Sequence, residues 1–141
     1  MNSRVKLRVR YQETDAMGVV YYANYLVWFE VGRTELLREG GLPYTEFEAC
    51  GIGLPVLEAN CCYRASAAYD DEIVIESRIT ELSAVKVSIF YKIYRERDGR
   101  LLAEGSTVHA FVRTDKGRPV NLSKANPRLW EGLQALYAGK E

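Results

Sequence analysis

The chain has 141 residues, 48% of them hydrophobic, and a formal net charge of +0. That length suits one domain whose core is large enough to need no disulfide or metal staple. The balanced charge argues against bulk electrostatic attraction to nucleic acid or to an anionic membrane. Three cysteines, Cys50, Cys61 and Cys62, and a single histidine, His109, form no CxxC or His-rich spacing, so neither a metal site nor a cofactor is expected. Unpatterned cysteines fit a reducing cytoplasm. The N-terminal residues from Met1 to Arg8 carry no apolar leader core, and no apolar run reaches the ~18 residues of a membrane span, so no such segment is expected.

Val5, Leu7, Val9 and Tyr11 alternate with Lys6, Arg8 and Arg10, the period of a strand with one buried face. Gln12 to Tyr21 reads as a loop with Gly18 as its pivot. A helix is expected over Asn24 to Glu39, with Leu26, Phe29, Gly32 and Leu36 on one stripe. Tyr25, Val27, Trp28 and Val31 make its first half apolar nearly all round, which implies cover on more than one side. Gly32 lowers helix propensity by roughly 1 kcal/mol relative to Ala, a cost that a close helix–sheet approach would explain. Gly40-Gly41 is the stop.

Leu42 to Gly51 reads as a short second helix with Pro43 at its first position and Gly51 as terminator. Strands follow from about Leu54, with Leu57, Ala59, Cys61 and Tyr63 on one face; then through Ile73, Ile75 and Ile79; then through Val85 to Ile93; and last from about Leu101 to Arg113. Tyr69-Asp70-Asp71 and Asp98-Gly99 are the turns between them. Asn126-Pro127 is the N-cap and first residue of a closing helix with Leu129, Leu133 and Leu136 as its stripe. Short turns imply antiparallel pairing, and a helix apolar on several sides must be wrapped by that sheet. The class is therefore α+β.

Asp15 is the lone carboxylate between Thr14 and Tyr25. An acid before a helix is commonly a cap or dipole partner. It can also do chemistry, because the unpaired N–H groups of a helix start can hold a developing oxyanion while a carboxylate attacks a carbonyl or deprotonates water. Tyr11, Tyr21, Tyr22 and Tyr25 read first as packing aromatics. Glu30 and Arg33, three apart on the helix, read as an ion pair. His109 reads as a structural strand residue. Cys61 and Cys62 point to opposite faces, with nothing to activate a thiolate. Lys86, Lys92, Arg95, Arg97, Arg113, Lys116 and Arg118 read as solvated positions, from which two or three could form a phosphate site.

The run Tyr-x-x-x-Asp-Ala-x-Gly-Val-Val-Tyr-x-Ala-Asn-Tyr from Tyr11 to Tyr25 resembles the signature of hotdog-fold acyl-CoA thioesterases, in the 4-hydroxybenzoyl-CoA thioesterase and YbgC-like group. The likeness continues through Trp28-Phe29-Glu30, Arg33-Thr34-Glu35, Tyr69-Asp70-Asp71, the stretch from Ala103 to Ala110, and Gly117-Arg118-Pro119-Val120. It implies a five-stranded antiparallel sheet around one long helix, with a short C-terminal helix after it. It also implies a homodimer or homotetramer whose active sites lie at a subunit interface.

By the same resemblance Asp15 is the catalytic carboxylate, as nucleophile or general base. Tyr22 lends its backbone N–H to the thioester oxygen, and Tyr11 is a supporting tyrosine. Gly18 and Tyr25 stand beside the substrate, and Lys86, Arg113, Lys116 and Arg118 meet the coenzyme A phosphates. The YbgC-like branch often carries histidine where this chain has Tyr22, so only the backbone role transfers at that position. A non-catalytic module binding acyl-CoA or an acyl-carrier protein is the alternative. A hotdog dehydratase would need a histidine paired with an acid, and His109 lies far from the Asp15 motif.

Overall fold

The computed structural model describes residues 2–139. The alternating N-terminal segment forms β1 (Asn2–Arg8), and the long helix α1 spans Asn24–Glu39, the limits its pattern and the double glycine set. After α2 (Tyr44–Ala49) and β2 (Ile52–Gly53) come β3 (Val56–Tyr63), β4 (Glu72–Leu82), β5 (Lys86–Arg95) and β6 (Leu101–Ala110). Two short strands, β7 (Val112–Arg113) and β8 (Arg118–Pro119), and two helices, α3 (Leu122–Ala125) and α4 (Pro127–Ala138), complete the chain.

The main sheet has five strands in the order β1-β4-β5-β6-β3, and every pair is antiparallel. Ile73, Ile75 and Ile79 of β4 and Ile89, Tyr91 and Ile93 of β5 face α1 and are buried. Phe29 stacks flat on Tyr91 with ring centroids 4.3 Å apart, which locks the middle of the helix to the middle of the sheet. One turn further along, Gly32 lets the two approach: a Cβ there would stand 2.7 Å from Ile75 Cγ2 and closer still to Ser77 Oγ. This sheet wrapped on one helix is the hotdog arrangement. Among the described residues no helix is long and apolar enough to cross a membrane.

Four local expectations change. The buried stripe of α1 runs through Tyr25, Trp28, Phe29, Gly32 and Leu36, while Leu26 and Val27 face solvent in the single chain. Pro43 takes the N-cap position with ψ 146°, so α2 begins one residue later, at Tyr44. The strand expected to run to Arg113 ends at Ala110. Buried Phe111 takes Val120 N–H on its carbonyl, and the chain leaves the main sheet to build a second one, β2-β7-β8. Finally β3, expected from about Leu54, begins at Val56 and is exposed along nearly its whole length. It is the sheet's edge and pairs only with β6.

The closing helix forms as its cap signals dictate. The Asn126 side chain accepts Leu129 N–H at 3.1 Å, Pro127 opens the first turn, and Leu129, Leu133 and Leu136 are buried. Leu136 packs onto Gly40, so α4 covers the C-terminal end of α1.

Candidate active site

The segment before α1 is tied down by a buried carboxylate that spacing did not single out. Tyr11–Glu13 make a single 3-10 turn, which leaves Glu13 only 5% exposed. Its Oε1 accepts Arg10 N–H at 2.8 Å and its Oε2 accepts the Trp28 indole N–H at 3.0 Å. Its backbone carbonyl accepts Tyr21 N–H and the Asn24 side-chain amide, both at 2.9 Å. One residue thus fastens both ends of the loop and the first turn of α1 together. Its sole sequence signal was an acid three residues after Arg10. The Trp28 partner, fifteen positions away, depends on the folded loop.

Between those anchors, Thr14 and Val20 bridge, Asp15 N–H donates to Val19 carbonyl at 2.9 Å, and Gly18 N–H returns to Asp15 carbonyl at 3.0 Å. Gly18 takes φ 80°, which closes the turn, and nothing lies within 4 Å of where its Cβ would be. Glycine is needed there for its backbone conformation rather than for space. The Asp15 side chain is half-buried, and its Oδ1 accepts Met17 N–H at 2.8 Å within the turn.

Asp15 does not cap the helix. The N-cap is Ala23, in helical conformation, with no side-chain cap bond. The N–H groups of Asn24, Tyr25 and Leu26 are met by the carbonyls of Tyr21, Tyr22 and Ala23, at 2.9, 3.2 and 3.2 Å. The N–H groups of Tyr22 and Ala23 have no acceptor among the described residues. Two adjacent uncommitted donors at the positive end of a 16-residue helix can hold an oxygen that is gaining negative charge.

Tyrosines surround this entrance. Tyr22 is 61% exposed, and its carbonyl accepts the Tyr63 hydroxyl at 3.0 Å, which ties the end of β3 to the helix start. Burial, then the hydrogen bond with Cys61, pushes the Tyr63 phenol up to about 12. The Tyr21 phenol is also raised, first by its hydrogen bond with Tyr22, with the Asp15 charge adding to it. These phenols stay protonated at neutral pH. Tyr11 sits at the rim with its ring edge-on to Tyr69 at 5.6 Å. Tyr25, expected beside the substrate, is 2% exposed, with its hydroxyl taking Ala67 N–H at 3.1 Å. In the single chain that makes it part of the scaffold.

The basic residues lie elsewhere. Arg113 and Arg118 are cross-strand neighbours on β7 and β8 with Lys116 in the turn between them, and Lys86 opens β5. Lys86 pairs with Ala110 at the end of the sheet that holds Val56, and the small hairpin follows directly, whereas Tyr63, which reaches the start of α1, lies at the other end of β3. The helix between is about 24 Å long. Within one chain the four cations and Asp15 are not brought together.

Glu30 and Arg33 form no ion pair among the described residues. His109 is buried, bonded through Nδ1 to Leu54 carbonyl at 3.0 Å and through Nε2 to Thr107 Oγ1 at 2.8 Å, as its strand position suggested.

Residues 9–131 match the family model of the thioesterase-like superfamily. The chain belongs to that superfamily. YneP of Bacillus subtilis is 37% identical over 125 residues, 89% of this chain and 90% of its own. The acyl-CoA thioester hydrolase YbgC of Escherichia coli O6:H1 is 31% identical over 122 residues, 86% and 90% of the two chains. The structure of the DHNA-CoA thioesterase from Staphylococcus aureus superposes with a TM-score of 0.92 at 31% identity, covering 97% of this chain and 91% of that one. The activity of this thioesterase is thioester hydrolysis.

Proposed function

We propose that the thioesterase hydrolyses an acyl-CoA with Asp15 as the attacking group and the start of α1 as the oxyanion site. The observation that carries this is an acid freed from capping duty beside a helix entrance whose Tyr22 N–H is uncommitted. The thioester oxygen accepts from Tyr22 N–H as the carbonyl carbon is attacked. Asp15 either adds to that carbon, giving an anhydride that water then cleaves, or takes a proton from the attacking water. The C–S bond breaks, the sulfur leaves as the coenzyme A thiolate and is protonated by solvent, and the free acid departs. One oxyanion donor is typically worth ~10² to 10³ in rate. Gly18 sets the turn between the two groups, and Tyr11 supports the rim.

Coenzyme A binding is assigned to Lys86, Arg113, Lys116 and Arg118 of a second copy. What supports this is the edge strand. β3 offers an unpaired hydrogen-bonding edge flanked by exposed Val56, Leu57, Leu26 and Val27, an apolar surface of the kind an interface covers. Two copies joined antiparallel along β3 set the Val56 end of one against the Tyr63 end of the other. That juxtaposition carries one subunit's basic hairpin toward the other's Asp15, so a homodimer, alone or paired into a homotetramer, is the working unit. The three free cysteines suit the cytoplasm.

The test is release of free thiol from a panel of aromatic, short-chain and long-chain CoA thioesters by wild type and Asp15→Asn. The variant is expected to lose at least about 10³-fold in kcat, the order seen when an essential catalytic group is removed, while keeping its fold and its affinity for coenzyme A. Hydrolysis by Asp15→Asn at near wild-type rate would refute the assignment.

A further inference from the structure

A cavity of about 270 Å³ lies between α1, the inner face of the main sheet and α4. Its walls are mostly apolar, among them Leu37, Ile79, Ile89 and Leu133. An apolar cavity of about 150 Å³ is enough for benzene, so this one accommodates a ring or a medium chain together with a polar substituent. Four polar side chains also reach it: Glu30, Arg33, Thr34 and His109.

The polar floor is neutral, and its hydrogen bonds run in one direction. The Leu54 carbonyl can only accept, so His109 Nδ1 carries the proton and donates to it. His109 Nε2 is then an acceptor and takes the Thr107 hydroxyl proton. Thr107 Oγ1, its proton committed, accepts from the Tyr91 hydroxyl at 2.6 Å. Burial first, and the positive charge of Arg33 in addition, hold the His109 ring below its ordinary pKa, while burial keeps Tyr91 protonated against the pull of Arg33.

Arg33 is therefore a part-buried cation at the cavity wall, hydrogen-bonded to the neutral Tyr91 hydroxyl, with Glu30 on the same lining. It pairs with no carboxylate among the described residues, and Glu30, one turn before it, is exposed and unpaired. A part-buried guanidinium without a carboxylate partner keeps N–H donors open, and its planar fork matches a carboxylate with two parallel hydrogen bonds. We propose that Arg33 recognises a carboxylate on the acyl group, so that the substrates are CoA monothioesters of dicarboxylic acids. The acyl body would fill the cavity of the second copy, whose Leu54–Val56 wall the β3 pairing sets against the first copy's Tyr63 and Asp15, and the second carboxylate would meet that copy's Arg33 fork. This rests on the acyl-CoA reading above.

The test compares 4-carboxybenzoyl-CoA with 4-methylbenzoyl-CoA, and adipoyl-CoA with hexanoyl-CoA, on wild type, Arg33→Gln and Arg33→Lys. Wild type is expected to favour the carboxylated member of at least one pair in kcat/KM. In Arg33→Gln that preference should fall by about 10- to 100-fold, the range for a charge-assisted hydrogen bond, with the change in KM, and Arg33→Lys should restore part of it. A wild type without preference for the carboxylate overturns the proposal. So does an equal loss on both members of each pair, which is also the result if a carboxylate of a second copy neutralises Arg33; dimer dissociation of Arg33→Gln in gel filtration would then identify that role. Calorimetric binding of the same four thioesters to the intact Asp15→Asn protein separates the two readings. Tighter binding of the carboxylated member without turnover by wild type upholds Arg33 and removes the hydrolytic assignment. Turnover without any carboxylate preference does the reverse.

Discussion

The two ends of α1 are built on opposite plans. At the N-terminus the polar groups are left open: Asp15 has one local bond, and the Tyr22 and Ala23 N–H groups have no acceptor among the described residues. Under the far end His109, Thr107 and Tyr91 satisfy one another in a buried chain that ends on Leu54 carbonyl, and the buried Ser77 hydroxyl beneath Gly32 is left without a partner among the described residues. Open donors beside a carboxylate suit a site where charge develops during reaction. A saturated neutral network suits a wall that must hold its shape. Under the proposed function the contrast separates chemistry from recognition along the same helix.

That contrast depends on Glu13 holding the open end in place, and removing it gives the largest expected effect on stability. In Glu13→Ala the buried Trp28 indole N–H loses its acceptor and the loop loses its tie to Arg10. An unsatisfied buried donor together with a broken charge-assisted bond costs about 3 kcal/mol, visible as a lower midpoint in urea denaturation. Activity should fall about tenfold or more as Asp15 drifts from the helix entrance, in line with the rate lost by small misplacements of a reacting group. Selectivity read at Arg33 should persist. An unchanged midpoint would mean that the loop is held by its backbone bonds alone.

How much of this was legible in sequence follows the same division. α1 was readable to the residue, because its apolar period and the Gly40-Gly41 stop are local signals. So was the Asn126-Pro127 start of α4. Asp15 stood out as a lone acid near a helix start, although spacing alone could not decide between capping and catalysis. The uncapped Ala23 is a property of the folded loop. Glu13 was passed over because its partners, Arg10 and Trp28, lie on different elements. The break at Phe111 was hidden for a related reason: alternation continues through it, and only the competing β2-β7-β8 sheet draws the chain away. The exposure of Leu26, Val27 and β3 likewise departs from the apolar pattern in the single chain, which is why the proposed dimer is placed on that face.

The closed end can be tested through pH. His109 is the only histidine in the chain, so histidine titration in this protein belongs to one group. Its folded pKa is lowered below the ordinary 6.5, first by burial. Between those two values the unfolded chain binds the extra proton and the folded one does not, so stability rises with pH across the window. The contribution is complete above about 6.5 and is lost as pH falls toward the folded value, with a slope of at most about 1.4 kcal/mol per pH unit. Urea denaturation of wild type and His109→Asn between pH 5 and 8 should show the histidine part of that slope vanish in the variant. The variant should also be less stable at pH 8, because its amide cannot replace both ring bonds. Parallel curves for the two proteins would place the pH sensitivity elsewhere.

The smallest expected effect separates backbone from side chain at the open end. Tyr22 contributes three things there: an N–H with no acceptor among the described residues, a carbonyl that takes the Tyr63 hydroxyl, and a ring packed against Tyr21 at 4.8 Å. Tyr22→Phe keeps all three and removes only the phenol oxygen, whose partner is the neighbouring exposed Tyr21. If the N–H is the oxyanion donor, kcat should stay within about threefold, well inside the ~10² to 10³ expected for loss of such a donor. The reference measurement is Tyr63→Phe, which leaves the Tyr22 carbonyl with only its Tyr25 N–H bond and loosens β3 from the helix start while leaving the Tyr22 phenol in place. A deeper loss in Tyr63→Phe than in Tyr22→Phe would assign the site to backbone geometry held by the sheet edge. A loss in Tyr22→Phe as deep as that of Asp15→Asn would move the second catalytic group from the peptide N–H to the tyrosine hydroxyl.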